Sequence, residues 1–91
     1  MTHTRADMLA AARLLRDRWS DPSFDPTPAL QLLHVAFAER GDGLFRDDVG
    51  QLMIRVGEKR SGSRRKGLGS VADITTSFDV LAQSIAALPG E

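Results

Sequence analysis

The chain has 91 residues, with 12 Lys+Arg balanced by 12 Asp+Glu and no cysteine. Zero formal net charge removes the global positive field of a protein that coats DNA, and the missing thiols exclude disulfides, thiolate–metal sites and thiol catalysis. Hydrophobic residues at 42% and charged residues at 26% describe a folded chain, of a length that holds one core and so one domain, 1–91.

The spacing predicts a first helix over about 5–19. Thr4 is its cap, with Asp7 in the capping-box position. Met8, Ala12, Leu15 and Trp19 recur at 4, 3 and 4 along one face, which makes an amphipathic helix with one apolar seam. Residues 20–27 break it, because Pro22 and Pro26 each push the preceding Asp out of helical geometry. Phe24 plugs an apolar gap from within this loop.

A second helix is expected over about 28–40, with Thr27 as cap and Pro28 at its first position. Ala29, Leu30, Leu32, Leu33, Val35, Ala36 and Phe37 leave little polar face, so this reads as the central and most buried helix. Gly41 is placed to end it in left-handed geometry. Asp42-Gly43 then makes a tight connection to a third helix, about 44–57, carrying Phe45, Val49, Leu52, Met53 and Val56 on one side. Asp47 and Asp48 sit in its first turn, where the helix dipole favours negative charge. Gly57 is the expected stop.

Residues 58–69 form the compositional outlier. Lys59, Arg60, Arg64, Arg65 and Lys66 share it with three glycines, which reads as a long, exposed basic loop. A fourth helix is expected over about 70–88, capped by Ser70 with Asp73 three residues on. Val71, Ile74, Phe78, Leu81, Ile85 and Leu88 form a heptad seam through it. Thr75, Thr76 and Ser77 lower helix propensity there, so a break remains open. The expected architecture is all-α, a compact bundle of four main helices with the basic loop before the last.

The chemistry-bearing patterns are few. Asp21, Ser23 and Asp25 have the alternate spacing that opens an EF-hand loop, but Pro26 stands where its glycine is needed and Leu32 where its bidentate Glu is needed. His3 and His34 are far apart, and neither has a second zinc ligand at helix spacing. A lone His34 in a hydrophobic helix reads first as a boundary or core residue. No nucleophile elbow or phosphate-binding glycine loop is present. The expectation is therefore no enzyme, no metal, no cofactor and no small-molecule substrate. No run reaches the roughly 20 apolar residues of a membrane span, and no signal peptide is evident. A cytoplasmic chain without a membrane partner is expected.

Two binding roles remain. The leading one is a small interaction or regulatory module that binds a protein partner, or forms a homodimer, through an apolar helix face. Its anchors would be Phe78, Leu81 and Ile85, with Trp19 as a further anchor. The alternative is a helix-turn-helix-like nucleic-acid-binding module using Lys59, Arg60, Arg64, Arg65 and Lys66. Basic side chains, close-approaching glycine backbone and the helix start at Ser70 suit phosphates. A solvated linker or an acidic protein partner would explain the same loop.

Residues 43–50 (Gly-Leu-Phe-Arg-Asp-Asp-Val-Gly), followed by Gln51-Leu52-Met53, resemble the helix signature of OST-HTH (LOTUS) domains. Residues 67–74 (Gly-Leu-Gly-Ser-Val-Ala-Asp-Ile) resemble that family's next helix entry. The resemblance covers residues 29–80 and implies a winged-helix-like module that binds RNA or a protein partner. Lys66 and Leu68 stand where the family usually has an aromatic flanking the glycine. Helical periodicity continues after Ile74 where a wing strand is expected, and Phe78-Asp79-Val80 is the one candidate strand.

Overall fold

A computed structural model of the chain describes residues 3–62 and 70–89. Four helices follow in chain order: α1 (Arg5–Arg18), α2 (Thr27–Glu39), α3 (Gly43–Arg60) and α4 (Val71–Ala86). No strand occurs among the described residues. The all-α bundle expected from the periodicities is the fold.

Side chains fix most of the helix starts. Thr4 accepts from the Asp7 N–H at 3.1 Å, and the Asp7 carboxylate returns the bond to the Thr4 N–H. Ser70 and Asp73 repeat this arrangement at α4. Asp42 caps α3 by accepting from Phe45 N–H at 3.2 Å. Such caps satisfy amides that have no partner within their helix, and each is worth about 1 kcal/mol. The start of α2 lies one residue earlier than expected. Thr27 is already helical behind Pro26, and the Asp25 carboxylate accepts its N–H at 3.0 Å.

Two glycines with positive φ end the hairpin helices. Gly41 (φ 74°) closes α2, with Asp42 N–H donating to Phe37 O and Gly41 N–H to Ala38 O. This is the Schellman pairing. The stop of α3 is Gly62 (φ 82°) and not Gly57. A glycine inside a helix costs only about 1 kcal/mol, and α3 runs through Gly57 to place Lys59 and Arg60 on a helix. The first part of the expected basic loop is therefore α3. Arg64, Arg65 and Lys66 lie outside the described residues. At α4 the open question resolves as one helix, with Thr75–Ser77 inside it and Phe78-Asp79-Val80 helical.

The hydrogen bonds between helices define the topology. Trp19, Arg60 and Thr75 meet at one end, where Trp19 Nε1 donates to Thr75 Oγ1 at 2.9 Å and Arg60 donates to Trp19 O at 2.7 Å. At the other end Arg5 donates to Leu88 O at 2.8 Å and Arg40 to Pro89 O at 3.5 Å. The helices therefore alternate in direction, as an up-down-up-down bundle. α1 packs against both α4 and α2, and α2 against α3, while α3 and α4 touch least.

Met8, Leu15, Trp19, Leu33, Phe37, Val49, Val56, Ile74, Phe78 and Ile85 are fully buried, and no polar or charged residue is buried among the described ones. Each large side chain so enclosed contributes about 1.5–3 kcal/mol. Phe37 and Phe45 stack at 5.2 Å across the α2–α3 hairpin. Phe24 packs against the core from its loop, as expected. α2 is flanked on two sides, by α1 and α3, just as α1 is by α2 and α4. Neighbours on two sides cannot cover a helix that is apolar nearly all round, so Val35 of α2 stands exposed.

The Trp19–Thr75 bond should register as coupling. Trp19→Phe is expected to lower stability by about 2 kcal/mol, from the lost bond and the smaller ring. In a double-mutant cycle with Thr75→Val, urea unfolding should give a coupling of about 1 kcal/mol. A coupling near zero would remove this bond from the account of the fold.

Candidate functional site

The four expected partner anchors lie inside the monomer. Trp19, Phe78, Leu81 and Ile85 are all buried in the one core. The heptad seam on α4 faces α1 and the bundle interior, since a monomer this small uses its most regular apolar stripe for its own core. Only its first residue, Val71, stands exposed, and Leu88 is partly buried. Anchoring a partner through Trp19, Phe78 and Ile85 would require the bundle to open, whereas an edge of Leu81 lines the α3–α4 seam.

The basic residues also separate. Lys59 is half-buried at the end of α3. The Arg60 guanidinium donates to Trp19 O (2.7 Å), Asp21 O (2.9 Å) and Phe24 O (2.7 Å). It closes the carbonyl end of α1 and pins the 20–26 loop to α3. The planar fork of arginine, and the negative end of a helix dipole, suit this task. Arg60 is thus a strut of the fold, a role that tertiary approach alone creates.

The carboxylates of the same loop serve local bonds. Asp21 Oδ1 accepts from Ser23 N–H and Ser23 Oγ, and Oδ2 pairs with Arg18 at 3.0 Å. The Ser23 hydroxyl and amide, then Arg18, hold the Asp21 carboxyl down at about 2. The Thr27 amide holds Asp25 below its usual range. Arg18 also lies over the Phe24 ring, 5.3 Å from its centroid. His34 is half-buried on α2.

The largest surface cavity among the described residues, about 550 Å³, lies between the 20–26 loop and α3, and another follows the loose seam between α3 and α4. This seam forms a groove of about 320 Å³. Leu52 and Leu81 make its floor, with partly buried Phe45 at one end. Val80 stands on the α4 wall at 54% exposure, the highest of the large apolar side chains described. Asp48, Gln51 and Arg55 form the α3 rim, and Thr76, Ser77 and Ser84 the α4 rim. Ser77 Oγ donates to Asp73 O, and Ser84 Oγ to Val80 O, each four residues back in the same helix. A second, shallower apolar strip joins Ala10 and Leu14 of α1 to Pro28 and Leu32 of α2.

Val80 escaped the sequence reading because it lies beside the heptad seam, not on it. One signal could have found it. Val80 is a large apolar residue on the polar side of a strongly amphipathic helix. No protein-family model matches the chain, and comparisons with curated proteins and with solved structures find no match either.

Two outcomes follow from the loop chemistry. Arg60→Lys keeps the charge but loses the fork, so it should destabilise nearly as much as Arg60→Ala, about 1–2 kcal/mol in urea unfolding. A harmless Arg60→Lys would mean that charge alone matters. Asp21 has a folded pKa lowered from 3.8 to about 2. Its contribution is therefore complete above pH 3.8 and lost as pH falls through the folded value. Asp21→Asn should flatten the acid-unfolding curve in that window, read by circular dichroism.

Proposed function

We propose that this chain is a helical interaction module that holds an amphipathic helix of a protein partner in the α3–α4 groove. The observation that carries this reading is the open seam. Three of the four neighbouring helix pairs in the bundle pack closely, and the fourth leaves an elongated trough with an apolar floor and polar rims. An amphipathic helix laid in such a trough buries residues at i, i+3 or i+4, and i+7. The enclosed α4 seam gives the platform rigidity, and Val80 gives it an exposed apolar contact.

The module is read as non-enzymatic. The groove's serine hydroxyls are turned back onto helix carbonyls, which suits a contact surface better than a nucleophile. The nucleic-acid alternative loses its anchor at Arg60, whose guanidinium holds three backbone carbonyls. Asp73 lies within electrostatic reach of Arg55 and Lys59 and offsets their field.

Selection against a displayed library of helical peptides tests the reading. Enriched peptides should carry apolar residues at helical spacing. Val80→Asp should weaken them by about tenfold or more, and Val35→Asp on α2 should leave them unchanged. Enriched peptides without that periodicity, or binding indifferent to Val80→Asp, would overturn it. Tight, steeply salt-dependent binding of a labelled oligonucleotide would favour the alternative instead.

A further inference from the structure

The α3 rim carries a charge pattern that is its own complement. Asp48 and Arg55 are seven residues apart, so they share a helix face and stand about 10 Å apart along α3. Both line the groove, with Gln51 between them and Val80 across from them on α4. We propose that the occupant of the groove is a second copy of this chain, docked groove to groove about a two-fold axis. The axis lies in the contact plane and crosses both helices at the level of Gln51 and Val80. This rests on the reading of the groove as a docking surface.

The geometry selects this arrangement from the alternatives. A two-fold axis across the helices lays α3 antiparallel on α3 of the second copy. Asp48 then faces Arg55 of the second copy, and Arg55 faces its Asp48, so one pattern yields two ion pairs. An axis along the helices would set α3 over α4, where no cationic side chain of α4 lines the groove to meet Asp48. A parallel stacking would set like charge on like. On the α4 side Val80 meets its own copy at the axis, and Ser77 meets Ser84. Both hydroxyls are already satisfied within α4, so these short side chains permit close approach and demand no new hydrogen bonds. Arg55 also lies near Asp73 of its own chain, and a guanidinium has donors enough for two carboxylates.

Sedimentation velocity over a rising concentration series tests the proposal. The wild-type chain should show a reversible monomer–dimer equilibrium. Asp48→Arg alone, or Arg55→Asp alone, should weaken it by about tenfold or more, because each turns two attractive pairs into two repulsive ones. An equimolar mixture of the two variants should associate again, and the doubly exchanged chain should recover self-association. Val80→Asp, at an exposed position, should abolish the dimer and keep the helical circular dichroism. If a single reversal unfolds the chain, the wild-type series and Val80→Asp decide. A wild-type monomer at every concentration, or a dimer insensitive to these changes, overturns the proposal. A monomer that still takes helical peptides in a Val80-dependent way leaves the docking surface standing. Loss of both overturns both.

Discussion

The Trp19 indole donates its N–H to Thr75 of α4 while the Trp19 carbonyl accepts from Arg60 of α3. One residue at the end of α1 therefore ties three helices, and its ring sits 1% exposed in the core they share. The Arg60 guanidinium extends the junction to Asp21 and Phe24, so the two-proline loop is held where it must deliver the chain into α2. Arg5 does related work at the opposite end by closing the last carbonyls of α4. The bundle is thus an apolar interior with arginines bonded to backbone oxygens at its ends. None of those charges needs to enter the core, so none incurs the desolvation cost of a buried ion.

This arrangement explains which seam stays loose. α1 is committed to α2 and α4 along its length, and the Gly41 turn draws α3 against α2. Few close contacts join α3 directly to α4. Their shared anchor is the Trp19 junction at one end, where Arg60 and Thr75 both bond to Trp19. The groove between the two helices exposes Val80 and the edges of Leu52 and Leu81. In a small domain with a thin stability margin, leaving that surface wet forgoes burial worth about 25 cal/mol per Å².

Much of the fold was legible because its signals are local. The Thr4–Asp7 and Ser70–Asp73 boxes and the left-handed Gly41 need only residues a few places apart. Tertiary contact decides the rest. Gly57 and Gly62 look alike as sequence, but the chain that continues through Gly57 carries Arg60 to the carbonyls of Trp19, Asp21 and Phe24. Those bonds favour the longer helix. Trp19, Phe78, Leu81 and Ile85 were legible as an apolar set, yet periodicity cannot say whether a seam meets its own chain or another. α2 reads as the most buried helix by composition, but with two neighbours, as α1 has, it leaves Val35 exposed. The groove was not legible, because it is a gap between helices and no residue type encodes a gap.

An open seam also makes stability and binding a single problem. An occupant that binds only the folded bundle adds RT ln(1 + [L]/Kd) to its stability. The occupied groove would bridge α3 and α4 along the stretch that the Trp19 junction does not reach. Its effect would therefore be largest on the α3–α4 pairing and smallest on the already closed α1–α4 face. Local opening should follow the same division, since the face with fewer apolar contacts opens at lower free energy. Trp19 ties the two helices together at one end through its indole and its carbonyl. An occupant of the groove would rest on Leu52 and Leu81, whose buried sides already belong to the core.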